Sequence, residues 1–133
     1  MMALNTHEYE FVRNFIVPEK RARYLSLLES KNGRKKILDG FNHCRDLDPR
    51  FAARIPANQS NAESIEVILR RKSAPHTCYV MSDNPDIDGR EMPLADALSK
   101  TVAMDAGTLV SCIPGKLAYF EMEGFDGRFI LER

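Results

Sequence analysis

Apolar positions recur at helical spacing through the first half of the chain, then alternate or cluster at strand spacing through the second. Phe11 and Phe15 stand four apart behind Asn5 and Glu8, whose three-residue offset is that of a capping box. A first helix is therefore predicted through Ile16, although Phe15, Ile16 and Val17 also suit a strand. Pro18 and Glu19 suit the opening turn of a second helix, with Ala22, Leu25 and Leu28 on one face through about Ser30. Gly33 is placed as its C-cap. A third helix is expected from Arg34 to about Cys44, with Ile37, Leu38 and Phe41 inward and Gly40 weakening it. Asp48 and Pro49 read as the cap and first position of a short helical turn through Arg54, with a loop at 55–59. Ser60 and Glu63 repeat the capping-box spacing. The helix behind them sets Ile65, Ile68 and Leu69 on one face and pairs Glu66 with Arg70. Its end, Arg70, Arg71 and Lys72, suits the negative end of a helix dipole.

Pro75 marks the change of texture. His76 to Ser82 alternates and carries Val, Tyr and Thr, as a strand does. A polar loop is expected from Asp83 to Arg90. Pro93 then opens a helix with Leu94, Ala97, Leu98 and Thr101 on one stripe, closed near Gly107. Three strands follow, at Thr108–Ile113, Lys116–Met122 and Arg128–Leu131. Asp126 and Gly127 are a hairpin signal before the last. Pro114 and Gly115 favour a type II turn, which fits a two-residue hairpin poorly, so a wider connection is expected there. The predicted class is α+β, with N-terminal helices packed on a small, mainly antiparallel C-terminal sheet and one intervening helix. The 133 residues suit a single domain, with a helical half to about residue 72 and a sheet half from about residue 73.

Charge sharpens that division. The formal net charge is zero, yet residues through Lys72 hold 14 Lys and Arg against 9 Asp and Glu, and the remainder hold 5 against 10. A basic helical surface is what a polyanion binds, and the two halves can equally neutralise each other within the fold. A hydrophobic share of 44% excludes a disordered chain, and no apolar run approaches the ~18 residues of a membrane span. The first ten residues lack the basic and apolar regions of a secretory signal, so a cytoplasmic location is expected. Three cysteines, with no dense framework, agree with that expectation. Cys44, Cys78 and Cys112 lie 34 residues apart, but their flanks share no repeat pattern.

Two regions are candidates for chemistry. Lys20, Arg21, Arg23, Lys31, Arg34, Lys35 and Lys36 cluster around the second and third helices. Lys20, Arg21, Arg34, Lys35 and Lys36 are the expected polyanion contacts, in a sequence-tolerant mode that neutralises phosphates. The acidic loop sets Asn84, Asp86, Asp88 and Gly89 in the register of the first half of an EF-hand, but Ala95 stands where the bidentate Glu belongs. A looser divalent-cation site would draw on Asp83, Asp86, Asp88 and Glu91; the ordinary alternative is a solvated Asx-rich turn. His43, Cys44, His76, Cys78 and Cys112 lack the close Cys pairs of structural zinc sites. Cys112 is a weak candidate nucleophile, because it travels with Val110 on one strand face.

The leading expectation is thus a non-enzymatic intracellular binding or regulatory module, needing no cofactor, that contacts a partner or polyanion such as nucleic acid. The alternative is a metal-dependent hydrolase acting on a phosphate-bearing substrate, with a divalent cation on the acidic loop and His76 shuttling protons. The strands near the C-terminus also leave a potential sheet edge, which makes a homodimer a candidate. No membrane partner is expected.

Overall fold

A computed structural model describes residues 5–124 and 127–133. Three helices come first: α1 (Thr6–Phe15), α2 (Pro18–Leu28) and α3 (Lys31–Asp39). The strand β1 (Ala52–Arg54) and helix α4 (Ala62–Arg71) follow, then β2 (Thr77–Ser82), β3 (Arg90–Pro93) and α5 (Leu94–Thr101). The chain closes with β4 (Thr108–Ile113), β5 (Leu117–Glu121) and β6 (Arg128–Glu132). All six strands form one antiparallel sheet in the order β1-β6-β5-β4-β2-β3. The α+β class is as expected.

Helices cover both faces of the sheet. Along β2, Tyr79 and Met81 join Phe11, Phe15, Ile37 and Phe41 from the N-terminal helices, together with Leu109, Ala118, Phe120 and Leu131. The alternate residues Cys78 and Val80 join Ile65 and Leu69 of α4 and Leu94 and Leu98 of α5, together with Val110, Cys112, Tyr119 and Ile130. The charge-based halves therefore do not match the layers, since α4 belongs to the basic half but packs beside α5. The cause is written in the strands. From the second residue of β2 onward, and throughout β5, every residue is buried, so neither face could be left to water.

Several local expectations change for physical reasons. Gly33 lies inside α3 rather than closing α2, because Ser30 caps α3 by accepting from Gly33 N at 3.0 Å. A side chain at Gly33 would run into the Leu27 carbonyl oxygen, so glycine is what lets α2 and α3 approach. The third helix ends at Asp39, and a 3-10 turn at Phe41–His43 replaces its predicted last turn. Asp48 accepts from Arg50 N at 3.1 Å, but the chain then extends into β1 instead of coiling. The cap of α4 is Asn61, not Ser60, whose hydroxyl donates to Pro56 O. Residues 90–93 pair with β2 as an edge strand, between the expected loop, which ended at Arg90, and the helix expected to open at Pro93. Pro114 and Gly115, the latter at φ +70°, do form a type II turn closed by Lys116 N on Ile113 O. A register shift between Ser111 and Ile113 supplies the extra room. Of the hairpin signal at Asp126 and Gly127, Asp126 lies outside the described residues.

The C-terminal strands expected to leave a free edge lie inside the sheet. β6 is covered by β1, and the edges are β1 and β3.

Candidate functional site

The basic and acidic halves meet at Arg34. Its guanidinium sits on α3, where the helix passes over the β2 end of the sheet. Nη1 and Nη2 donate to the two Asp88 oxygens at 2.7 and 2.8 Å, a two-pronged match. Nε and Nη2 also donate to Glu8, at 3.0 and 2.8 Å. Glu8 is buried and accepts from the Tyr79 hydroxyl as well. The hydrogen bonds of Asp88, ahead of those of Glu8, raise the Arg34 pKa and hold it as a cation. Burial, then the Glu8 carboxylate, pushes the Tyr79 phenol upward. Two carboxylates and one guanidinium leave this centre formally anionic, and every charged group in it has a partner.

His7 extends the centre outward. Its ring stacks on Tyr79 with centroids 5.4 Å apart, and Nδ1 lies 2.7 Å from Ser111 Oγ. Asn5 orients this residue by accepting from the His7 and Glu8 backbone amides. Burial lowers the His7 pKa, and the nearby Glu91 carboxylate opposes that shift. Ser111 is buried in the sheet. Its pairing with His7 anchors α1 to β4.

The acidic loop is organised around this ion pair rather than around open oxygens. Asp88 Oδ1 also accepts from Ser82 N at 3.0 Å, and Asn84 forms an Asx turn by accepting from Asp86 N. Gly89 turns the chain into β3 at φ +73°. Asp83 and Asp86 are exposed on the loop, and Glu91 is exposed on β3, opposite Tyr79 in register. Among the described residues, no three His, Cys, Asp or Glu side chains converge as metal ligands. His76 is exposed ahead of β2. Cys78 and Cys112 are buried, and burial pushes each thiol up to about 12, which suppresses the nucleophilic thiolate.

The five expected polyanion contacts separate into two groups. Arg34 is occupied as described. Arg21 donates from Nε to Ile16 O at 2.8 Å and lies 3.8 Å from buried Asp48, so it ties α2 to the segment before β1. Lys20, Lys35 and Lys36 are exposed, and among the described residues none of them forms an ion pair. Lys20 and Lys36 share a cleft of about 280 Å³ with Arg23, Tyr24, Leu27 and Asp46. Asp46, the carboxylate in that cleft, accepts from the Tyr24 hydroxyl at 2.6 Å. Arg23 is exposed and unpaired among the described residues. It comes from the same basic cluster and completes the cleft.

Sequence reasoning passed over Glu8, Tyr79, His7 and Ser111. Glu8 carried the signal of a capping residue, and its side chain instead turns inward to Arg34. No protein-family model, curated protein or solved structure matches the chain.

Proposed function

We propose that this protein is a non-enzymatic binding module that contacts the phosphate backbone of a nucleic acid through the cleft between α2 and α3. The observation that supports this reading is the convergence of Lys20, Arg23 and Lys36 on one concavity, with no carboxylate paired to any of them among the described residues. Lys35 flanks the cleft on α3. Cations that the fold does not consume are free to displace counterions from a polyanion. Lysine suits such sequence-tolerant contact, because its ammonium is a point charge without the fixed fork of arginine. The cleft lacks a row of amide side chains to read base edges, so the reading is of backbone contact.

The test is fluorescence anisotropy of labelled single- and double-stranded oligonucleotides at about 50 and then about 200 mM salt. Three phosphate contacts predict a loss of about 40-fold in duplex affinity across that interval. No binding at the lower salt, or binding indifferent to salt, overturns the reading.

A further inference from the structure

A separate cavity lies beside the β1 edge. It measures about 380 Å³, with Ile55, Ile68 and Ile130 among its apolar lining residues and Arg50, Arg54 and Lys72 among its polar ones. A second hollow of about 270 Å³ shares Ile68 and Gln59 with it and carries on over α4 to Val67 and Arg71. Val67 is one of two large apolar side chains left exposed among the described residues. The two hollows thus form one groove that begins at a sheet edge.

That edge has open backbone groups. Phe51 O accepts from Glu132 N and Ile55 N donates to Arg128 O, so residues 51, 53 and 55 face β6. Ala52 and Arg54 between them direct their N–H and C=O groups away from the sheet. Among the described residues these four groups have no hydrogen-bond partner. Prolines 49 and 56 lie outside the strand, so neither removes a donor from it. The opposite edge differs: β3 carries Glu91 and ends in Pro93, directly before α5.

We propose that the β1 edge and its groove receive an acidic peptide segment in extended conformation, added to the sheet as a further strand. The charge selects the occupant. Lys72 is paired with Glu132 and Arg50 with Asp48, while Arg54 and Arg71, toward the two ends of the groove, meet no carboxylate among the described residues. A second copy of the same strand supplies no carboxylate: antiparallel self-pairing sets Arg54 opposite Ala52 and leaves the two Arg54 as diagonal neighbours of like charge. A segment alternating acidic and apolar residues suits both features, with apolar side chains over Ile68 and Val67 on the α4 face and carboxylates on the opposite face beside Arg54, whose register partner Phe129 packs against the other core. This surface is separate from the α2–α3 cleft and does not depend on its reading.

The test uses a fluorescein-labelled peptide of about eight alternating Glu and Val residues, the length of a typical strand. Its Lys/Val counterpart and a copy N-methylated at alternate amides serve as comparisons. The Glu/Val peptide is expected to bind the full chain, the Lys/Val peptide not to bind, and N-methylation to weaken binding about tenfold or more by removing ladder donors. Arg54→Glu is expected to weaken it about tenfold. Lys20→Glu combined with Lys36→Glu is expected to leave it unchanged. Absence of Glu/Val binding overturns the proposal. So does equal binding of the N-methylated peptide, which would reduce the contact to charge alone. Loss of binding in the double lysine variant also overturns it, by moving the peptide to the other cleft.

Discussion

The Arg34 centre and the α2–α3 cleft draw their cations from the same short basic stretch, yet one is closed and the other open. Arg34 and Lys36 are two residues apart on α3. Two positions along a helix rotate a side chain by about 200°. Arg34 therefore faces the sheet, where Glu8 and Asp88 take its donors, while Lys36 faces the cleft and water. The difference teaches that a run of basic residues is not one surface. Its charge divides between fastening the fold and being available to a partner, and helical phase makes the division.

The largest expected effect comes from opening the closed member of the pair. Arg34→Ala leaves buried Glu8 and half-buried Asp88 facing each other without their cation, and is expected to destabilise by about 3–5 kcal/mol in urea unfolding. Arg34→Lys keeps the charge but loses the fork, and is expected to recover only part of that. A loss below about 1 kcal/mol for the alanine variant would place the centre in water and erase the contrast with Lys36. Gly33→Ala comes next, because its methyl would run into the Leu27 carbonyl and push α2 from α3. Overpacking of this kind costs about 1–3 kcal/mol. It should also weaken any ligand of the cleft, which both helices line, so unfolding and oligonucleotide binding are to be followed on the same variant.

Much of the frame was legible because it rests on periodicity. The stripes Phe11–Phe15, Ile65–Leu69 and Leu94–Leu98 and the three C-terminal strands are where spacing places them. The edge strands were not legible. Ala52–Arg54 has three residues, none β-branched or aromatic, and exists by pairing with β6 rather than by propensity. The coverage of both sheet faces was missed: His76–Ser82 reads as alternating, whereas Cys78 to Met81 is an unbroken buried run, and nothing in it says which helix covers which face. Of the candidate sites, the sequence identified Arg34 and Asp88 as charged residues of interest without indicating that each answers the other. Their separation of 54 positions carries no local signal. Glu8 was legible as a helix-start residue, and only tertiary packing turns its side chain to the guanidinium.

Acid separates the regions further, through His7. Its pKa is below the ordinary 6.5 in the fold, because burial disfavours the imidazolium more than Glu91 favours it. The stability contributed by neutral His7 is therefore fully present above about pH 6.5 and is lost as pH falls through the lowered folded value. The melting temperature is expected to decline on acidification in that window, and the decline to flatten in His7→Gln. Asp48 titrates in a different window. The Arg50 side chain holds its pKa down at about 2, so its contribution is lost only as pH falls from about 4 toward 2. An unchanged slope in His7→Gln as pH falls below 6.5 would remove His7 from the centre's energetics.

The smallest effect on stability belongs to the open region, and there it is the informative one. Lys20 and Lys36 make no ion pair among the described residues, so reversing both to Glu breaks no ion pair within the fold. Surface changes of this kind usually fall within about 0.5 kcal/mol of neutral. Lys20→Glu with Lys36→Glu should therefore unfold at the urea midpoint of the parent chain while losing oligonucleotide binding at about 50 mM salt. Arg34 remains half-buried and paired with Glu8 and Asp88 in that variant, so retained binding would mean that phosphates meet some other part of the basic half. A clear fall in stability would mean that the two lysines support the fold, as Arg34 does, and that the cleft is not a reserve of free charge.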